Sequence, residues 1–152
     1  MDIAFDKPLD FQTLGEFLQA ELPDKDIFLL YEDHATWEDV PPGKAIFHYD
    51  VNEAQPGPFK FGLSVFTDHD EPLLFIEHLA RTLSDQFQCA TLCDASRVVL
   101  KENKTYYSLL FENGLVYLVD DFDFEAQGEV TKIVCLNYDL NNSEVTGASK
   151  RQ

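Results

Sequence analysis

The chain has 152 residues, the length of one ordinary domain, which can bury a hydrophobic core without a metal or a disulfide. It carries 28 Asp and Glu residues against 11 Lys and Arg, a formal net charge of −17. Nucleic acid and anionic membranes are disfavoured as partners because each requires a basic surface. The charge therefore favours a cationic partner, and the alternative that it serves only solubility stays open.

The three cysteines, Cys89, Cys93 and Cys135, are an odd number for a disulfide framework. The N-terminal residues lack the basic segment and apolar run of a signal peptide, and no apolar stretch reaches the length of a membrane span. These features predict reduced thiols and a cytoplasmic location.

The first half of the chain predicts a strand, a helix and two further strands. Ile3–Phe5 is a short apolar run, and Asp10 is placed to cap a helix that Pro23 ends. Ile27–Tyr31 and Ala45–Val51 have the length and composition of strands. The helix is indicated by apolar residues at helical spacing: Phe11, Leu14, Phe17, Leu18 and Leu22.

The second half predicts a strand, a longer helix and a hairpin. Alternation of Phe59, Phe61, Leu63 and Val65 with smaller or polar residues indicates a strand with one buried face. Asp70 is interpreted as the N-cap of the helix, which has Pro72 in its first turn. Its apolar stripe contains Leu73, Ile76, Ala80, Leu83 and Phe87.

Asn113-Gly114 lies between two apolar runs, Tyr106–Phe111 and Leu115–Val119, and this dipeptide is typical of a type I′ hairpin turn. Cys89–Cys93, Val98–Leu100 and Val130–Leu136 are predicted as further strands.

Together the elements predict an α+β fold, with a largely antiparallel sheet and two main helices packed on one face. The order also allows two βαββ-like halves. We expect a single domain over residues 1–140, followed by a polar C-terminal tail over 141–152.

Catalytic and metal-binding motifs are missing from the sequence. It contains no P-loop, GxSxG, HExxH or CxxC pattern, and Cys89 and Cys93 lack a second pair of zinc ligands. Asp68-His69-Asp70-Glu71 could supply metal ligands or an acid–base pair, which keeps an enzyme open as a minor alternative. The prediction is a protein that is not an enzyme and that uses no cofactor and no metal.

Acidic residues cluster beside aromatic ones at three places, and we predict that these clusters contact the partner. If residues 121–125 were extended, their carboxylates would form a ladder spaced by about 6–7 Å, with Phe122 and Phe124 facing the core. The alternative is a sheet edge that charge protects against aggregation. The candidate residues are Glu32, Asp33, Trp37, Glu38 and Asp39, then Asp68 and Asp70, then Asp120, Asp121, Asp123 and Glu125.

The second half resembles a known class in its layout. A strand at Phe61–Phe66 leads through an acidic junction to a helix at Leu73–Ala80, then to Gln88–Asp94 and to the acidic-ended hairpin Tyr107–Asp120. This layout resembles the immunity proteins of bacterial polymorphic-toxin and contact-dependent growth inhibition systems.

The resemblance implies a cytoplasmic inhibitor that binds a cognate toxin domain, often a nuclease, and blocks its active site with acidic residues. It assigns no role to an individual residue. An acidic chaperone of the type III secretion kind, which would hold a segment of an effector protein, remains the alternative function. Whether the protein is a monomer or a dimer stays open.

Overall fold

The structure is a computed structural model that describes residues 1–31, 43–95, 106–139 and 144–146. Within these ranges the chain forms nine strands and three helices. In chain order they are β1 (Ile3–Phe5), α1 (Phe11–Glu21), β2 (Ile27–Tyr31), β3 (Ala45–Val51), β4 (Phe61–Phe66), α2 (Pro72–Phe87), β5 (Thr91–Asp94), β6 (Tyr107–Glu112), β7 (Leu115–Asp120), α3 (Phe124–Gln127), β8 (Thr131–Asp139) and β9 (Glu144–Thr146).

The strands lie side by side in the order β2-β3-β4-β1-β5-β6-β7-β8, and β9 pairs with the outer edge of β8. β2 and β3 run parallel, whereas every other neighbouring pair of these strands runs antiparallel. The predicted α+β class and largely antiparallel sheet are confirmed. The two βαββ-like halves are interleaved, because β4 lies between β3 and β1.

Both long helices cover the same face of the sheet, as the topology requires. α1 connects β1 to the parallel strand β2 toward one edge, and α2 connects β4 to the parallel strand β5 toward the other edge. Because β1 and β4 are antiparallel and the two crossovers run in opposite directions, right-handed connections place both helices on one side.

The main core lies between these helices and the sheet. Leu14 and Leu18 of α1 and Leu79 and Leu83 of α2 pack there with fully buried sheet residues. Their aromatic partners include Phe5, Phe47 and Phe111, and Phe5 stacks against Tyr49 and Phe61.

A smaller apolar cluster lies on the opposite face, under α3 and the loop at 52–58. Phe59 packs there beside Phe124, with ring centroids 6.0 Å apart. Gly57 and Gly128 bring the backbones of the loop and of the residue after α3 into direct contact, and both have positive φ. This contact attaches the loop at 52–58 to the same end of the molecule as α3.

Two local predictions are confirmed in atomic detail. The Thr13 amide donates to Asp10 Oδ2 at 2.9 Å, which caps α1, and this bond is the main cause that lowers the pKa of Asp10. Asn113 and Gly114 have φ of 52° and 77°, as a type I′ turn between β6 and β7 requires.

Other local predictions are wrong, or missed an element. α2 begins at Pro72 after Glu71, and Asp70 does not cap it; instead the Glu71 amide donates to His69 Nδ1 at 3.1 Å. Phe59 lies before β4 and faces the second cluster, because a tight turn in which the Lys60 amide donates to the Pro58 carbonyl interrupts the predicted alternation.

The fifth strand of the chain also begins later than predicted. β5 starts at Thr91 because Gln88 turns the chain with φ of 52° and the Cys89 amide still bonds back to Ser84. The sequence did not indicate β9, and the predicted strand Val98–Leu100 lies outside the described residues.

Candidate functional site

Four strand ends meet at one end of the sheet and bring carboxylates from separate parts of the chain together. β1 begins there, β5 ends there, β6 begins there and β7 ends there. Ile3 pairs with Cys93, so the next position places Asp2 beside Asp94, and Asp94 in turn pairs with Ser108. Because paired residues share a face of the sheet, these three side chains lie on the side that α3 covers.

We call the resulting recess the acidic groove. It has a volume of about 600 Å³. Its carboxylates are Asp2, Asp94, Asp121 and Glu125, and its other lining residues include Ser108, Leu73, Ile76, Leu92 and Phe124. The groove therefore combines concentrated negative charge with apolar walls.

Asp121 is a partly buried carboxylate of the groove whose pKa is raised. Burial raises the pKa of Asp121, and the charges of Asp120 and Asp94 raise it further, although the hydrogen bond from Ser108 acts in the opposite direction. Ser108 Oγ donates to Asp121 Oδ2, and the Asp121 amide donates to the Tyr106 carbonyl at 2.8 Å. A cation in the groove would relieve the repulsion that raises this pKa.

Residues 121–125 are not extended, so the predicted ladder of carboxylates is wrong. The Phe122 amide bonds to Asp120 Oδ1 at 2.9 Å, and the Phe124 amide bonds to the Asp121 carbonyl at 3.0 Å. These bonds form a turn that leads directly into α3, because Asp side chains compete for nearby amides and so favour turns over strands. Phe122 is consequently exposed, and Phe124 alone of the two rings packs on the sheet.

The structure separates the predicted partner-binding residues. Asp121 and Glu125 line the acidic groove, Asp120 closes the turn, and Asp123 is exposed beside it. Glu32, Asp33, Trp37, Glu38 and Asp39 lie outside the described residues.

Asp68 and Asp70 are exposed at the β4–α2 junction and do not line the acidic groove. Asp68 lines a different recess that also contains Lys25 and Lys44, and Lys25 Nζ lies 3.4 Å from its carbonyl oxygen. Charges of both signs meet there, so this junction is a weaker candidate for binding a cation.

Asp2 and Asp94 belong to the site although the sequence did not single them out. Each stands alone in its own segment, immediately before β1 and at the end of β5. The only local feature of these two residues is that each is an Asp at a strand end. This feature indicates a shared site only when the strand order places the two ends side by side.

In the part of the chain that the structure describes, no cluster of metal ligands accompanies the acidic groove, and Cys89 and His78 lie outside it. Across residues 1–31, 43–95, 106–139 and 144–146, no group of three or more His, Cys, Asp or Glu side chains could hold a metal ion. Burial raises the pKa of Cys89 to about 12, which keeps its sulfur protonated. His78 Nε2 lies 3.3 Å from Glu21 Oε2 and links α2 to α1, away from the groove.

The thiols should differ sharply in reactivity. We expect iodoacetamide at about pH 8 to label Cys135 rapidly in the folded protein, because this thiol is exposed while Cys89 and Cys93 are buried. With a pKa of about 12, Cys89 is ionised in roughly one molecule in ten thousand at that pH. Mass spectrometry after a short pulse measures this, and urea-unfolded protein, labelled at all three thiols, is the control. Equal labelling in the folded state would contradict the burial.

Replacement of Asp121 by Asn should change how stability depends on pH. Because the folded pKa lies above 3.8, the folded state binds a proton more readily than the unfolded state between 3.8 and the raised value. The contribution of Asp121 to the free energy of unfolding therefore falls as pH rises through this window and is constant above it. Asp121→Asn removes this pH-dependent loss of stability while keeping an acceptor for Ser108. The variant should therefore be more stable than the parent protein at neutral pH.

Urea denaturation across the acid range tests this. The difference in unfolding free energy between Asp121→Asn and the parent should grow with pH and then level off. A difference that stays the same at every pH would show that Asp121 titrates normally.

No helix of the described residues is long and apolar enough to cross a membrane.

Comparison with known proteins adds no identification. No protein-family model matches the chain, and neither a curated protein nor a solved structure matches it.

Proposed function

We propose that the protein is a cytoplasmic inhibitor that binds a basic protein domain through the acidic groove, as an immunity protein binds its toxin, and that it performs no catalysis. The observation that carries the proposal is the groove itself: four carboxylates from three separate segments share about 600 Å³ with apolar walls. Burial and the charges of Asp120 and Asp94 disfavour the ionised form of Asp121 there, so folding has placed this charge at an electrostatic cost. A cationic partner would recover that cost on binding.

The groove suits the long cationic side chains of a protein. The stem of a lysine or arginine would pack against Leu73, Ile76 and Phe124 while its charged group reaches the carboxylates. The net charge of −17 would steer a basic domain toward the protein before contact. A nuclease-type toxin presents such a basic surface around its substrate site, and covering it would block the substrate.

Capture from the source cells tests the proposal. We expect the tagged chain to retain a protein with a basic domain, and we expect co-expression of the chain to restore growth when that domain is toxic. A groove variant, Asp94→Asn/Asp121→Asn/Glu125→Gln, should retain less of it. Capture of an acidic protein, or undiminished protection by the groove variant, would overturn the proposal.

One observation favours a second candidate, the secretion chaperone. An apolar groove of about 720 Å³ lies at the opposite end of the sheet, between the start of α1 and the ends of β2 and β3. It is lined by Pro8, Leu9, Asp10, Phe11, Phe28, Leu29, Tyr31, Tyr49, Val51 and Phe61. An effector segment would bind there through apolar contacts, so Phe28→Ser would weaken a chaperone but leave an inhibitor that uses the acidic groove unaffected.

A further inference from the structure

Two exposed aromatic rings stand together beside the acidic groove. The rings of Tyr106 and Phe122 meet edge to face, with centroids 4.9 Å apart and planes at 74°. Tyr106 is 53% exposed and Phe122 is 64% exposed. We call this pair the aromatic pair. Aromatic residues at the centre of an interface often contribute most of its binding energy. The exposed pair is therefore a candidate binding site.

Hydrogen bonds from backbone amides fix the two segments that carry the aromatic pair. The Asp121 amide donates to the Tyr106 carbonyl at 2.8 Å, which ties the two segments together directly beside the rings. The Phe122 amide donates to Asp120 Oδ1 at 2.9 Å, and the next turn is closed by the Phe124 amide. Because this backbone is already fixed, a ligand that binds the rings pays little entropy to order them.

Carboxylates flank Phe122 along the chain. Asp121 and Asp123 are its sequence neighbours, and Asp120 Oδ1 accepts a hydrogen bond from its amide. A purely apolar ligand would therefore remove charged groups from water without compensating them. A second copy of this chain would bring its own charge of −17 to the same surface. A ligand with a flat apolar face and a positive charge satisfies both features.

We propose that the aromatic pair receives an arginine side chain of the partner, an inference that rests on the proposed function. The guanidinium group is planar, stacks on aromatic faces and bonds to carboxylates in pairs. Lysine carries a compact and strongly hydrated charge that gains less from a ring. The aromatic pair thus selects arginine, whereas the acidic groove attracts either cation.

Titration of the full chain with hexa-arginine and hexa-lysine peptides tests the inference. We expect the ring signals of Tyr106 and Phe122 to shift on binding, and hexa-arginine to bind more tightly. Tyr106→Leu/Phe122→Leu keeps the apolar surface but removes the ring faces. This variant should weaken hexa-arginine binding roughly 2- to 5-fold and leave hexa-lysine binding unchanged. Leu115→Ala is the matched control, because Leu115 is 47% exposed at the other end of β7.

Equal affinity for the two peptides, or an arginine preference that survives in the double leucine variant, would overturn the inference. Its failure can be told apart from failure of the proposed function. If the captured basic partner binds the double leucine variant normally but loses affinity for the groove variant, only the role of the aromatic pair is wrong. If neither variant affects the partner, the proposed function fails as well.

Discussion

Neutralising the acidic groove should slow association with the basic partner by about tenfold or more at low salt. The variant Asp94→Asn/Asp121→Asn/Glu125→Gln removes three of the four carboxylates that the fold gathers in one recess. Attraction between close opposite charges acts on the encounter, so the association rate should fall more than the dissociation rate rises. Stopped-flow mixing with the captured partner measures both rates.

A control variant with the same change in net charge separates the groove from the overall charge. Glu16→Gln/Asp24→Asn/Glu53→Gln alters three exposed carboxylates that do not line the groove. We expect this variant to keep most of the association rate. If both variants slow association equally, the total charge steers the partner and the groove has no particular part. Thermal unfolding of each variant should confirm that the fold is retained.

Gly128→Ala should destabilise the protein by about 2–4 kcal/mol. Gly128 has φ of 72°, and an added Cβ would lie 2.0 Å from the Pro56 carbonyl oxygen. A methyl group there must push the loop at 52–58 away from α3, because the contact is with backbone and not with a side chain that could rotate. The second apolar cluster around Phe59 would open as a result.

Gly15→Ala should have the opposite effect on the free energy of unfolding and serves as the comparison for Gly128→Ala. Gly15 lies within α1, and a Cβ added there meets no atom within 4 Å. Alanine favours the helix over glycine, so this variant should gain about 0.5–1 kcal/mol. Urea denaturation of both variants measures the effect. A loss at Gly128 no larger than the change at Gly15 would show that the loop yields easily.

The sequence predicted those elements that depend on residues close together in the chain. Asp10 caps α1 through an amide three residues away, and Asn113-Gly114 forms its turn from two adjacent residues. Local chemistry is sufficient for both. The assignment of both helices to one face is also confirmed, but its physical reason, right-handed connections that run in opposite directions, depends on the strand order.

The site was harder to predict because it is a product of strand order. Asp2 and Asp94 are 92 residues apart, and only the placement of β1 next to β5 brings them together. The alternation at 121–125 suggested a strand, but Asp120 and Asp121 hold amides in a turn instead. Hydrophobic alternation and turn chemistry competed there, and the turn prevailed because α3 follows within three residues.

The burial of one charged residue also depends on how distant segments of the chain pack together. Glu77 is only 1% exposed on α2, although its position in the sequence gives no sign that it is buried. Burial of a carboxylate is decided by which elements pack over the helix, and periodicity in a single segment does not carry that information.

The most direct test of the central claim is to map the partner's footprint on this chain by NMR cross-saturation. The account predicts that saturation passes from the partner to residues of the acidic groove and its rim, including Asp94, Ser108, Asp121 and Glu125. The apolar groove around Phe28 at the other end of the sheet should show none. A footprint on the apolar groove, with the acidic groove unaffected, would contradict the account.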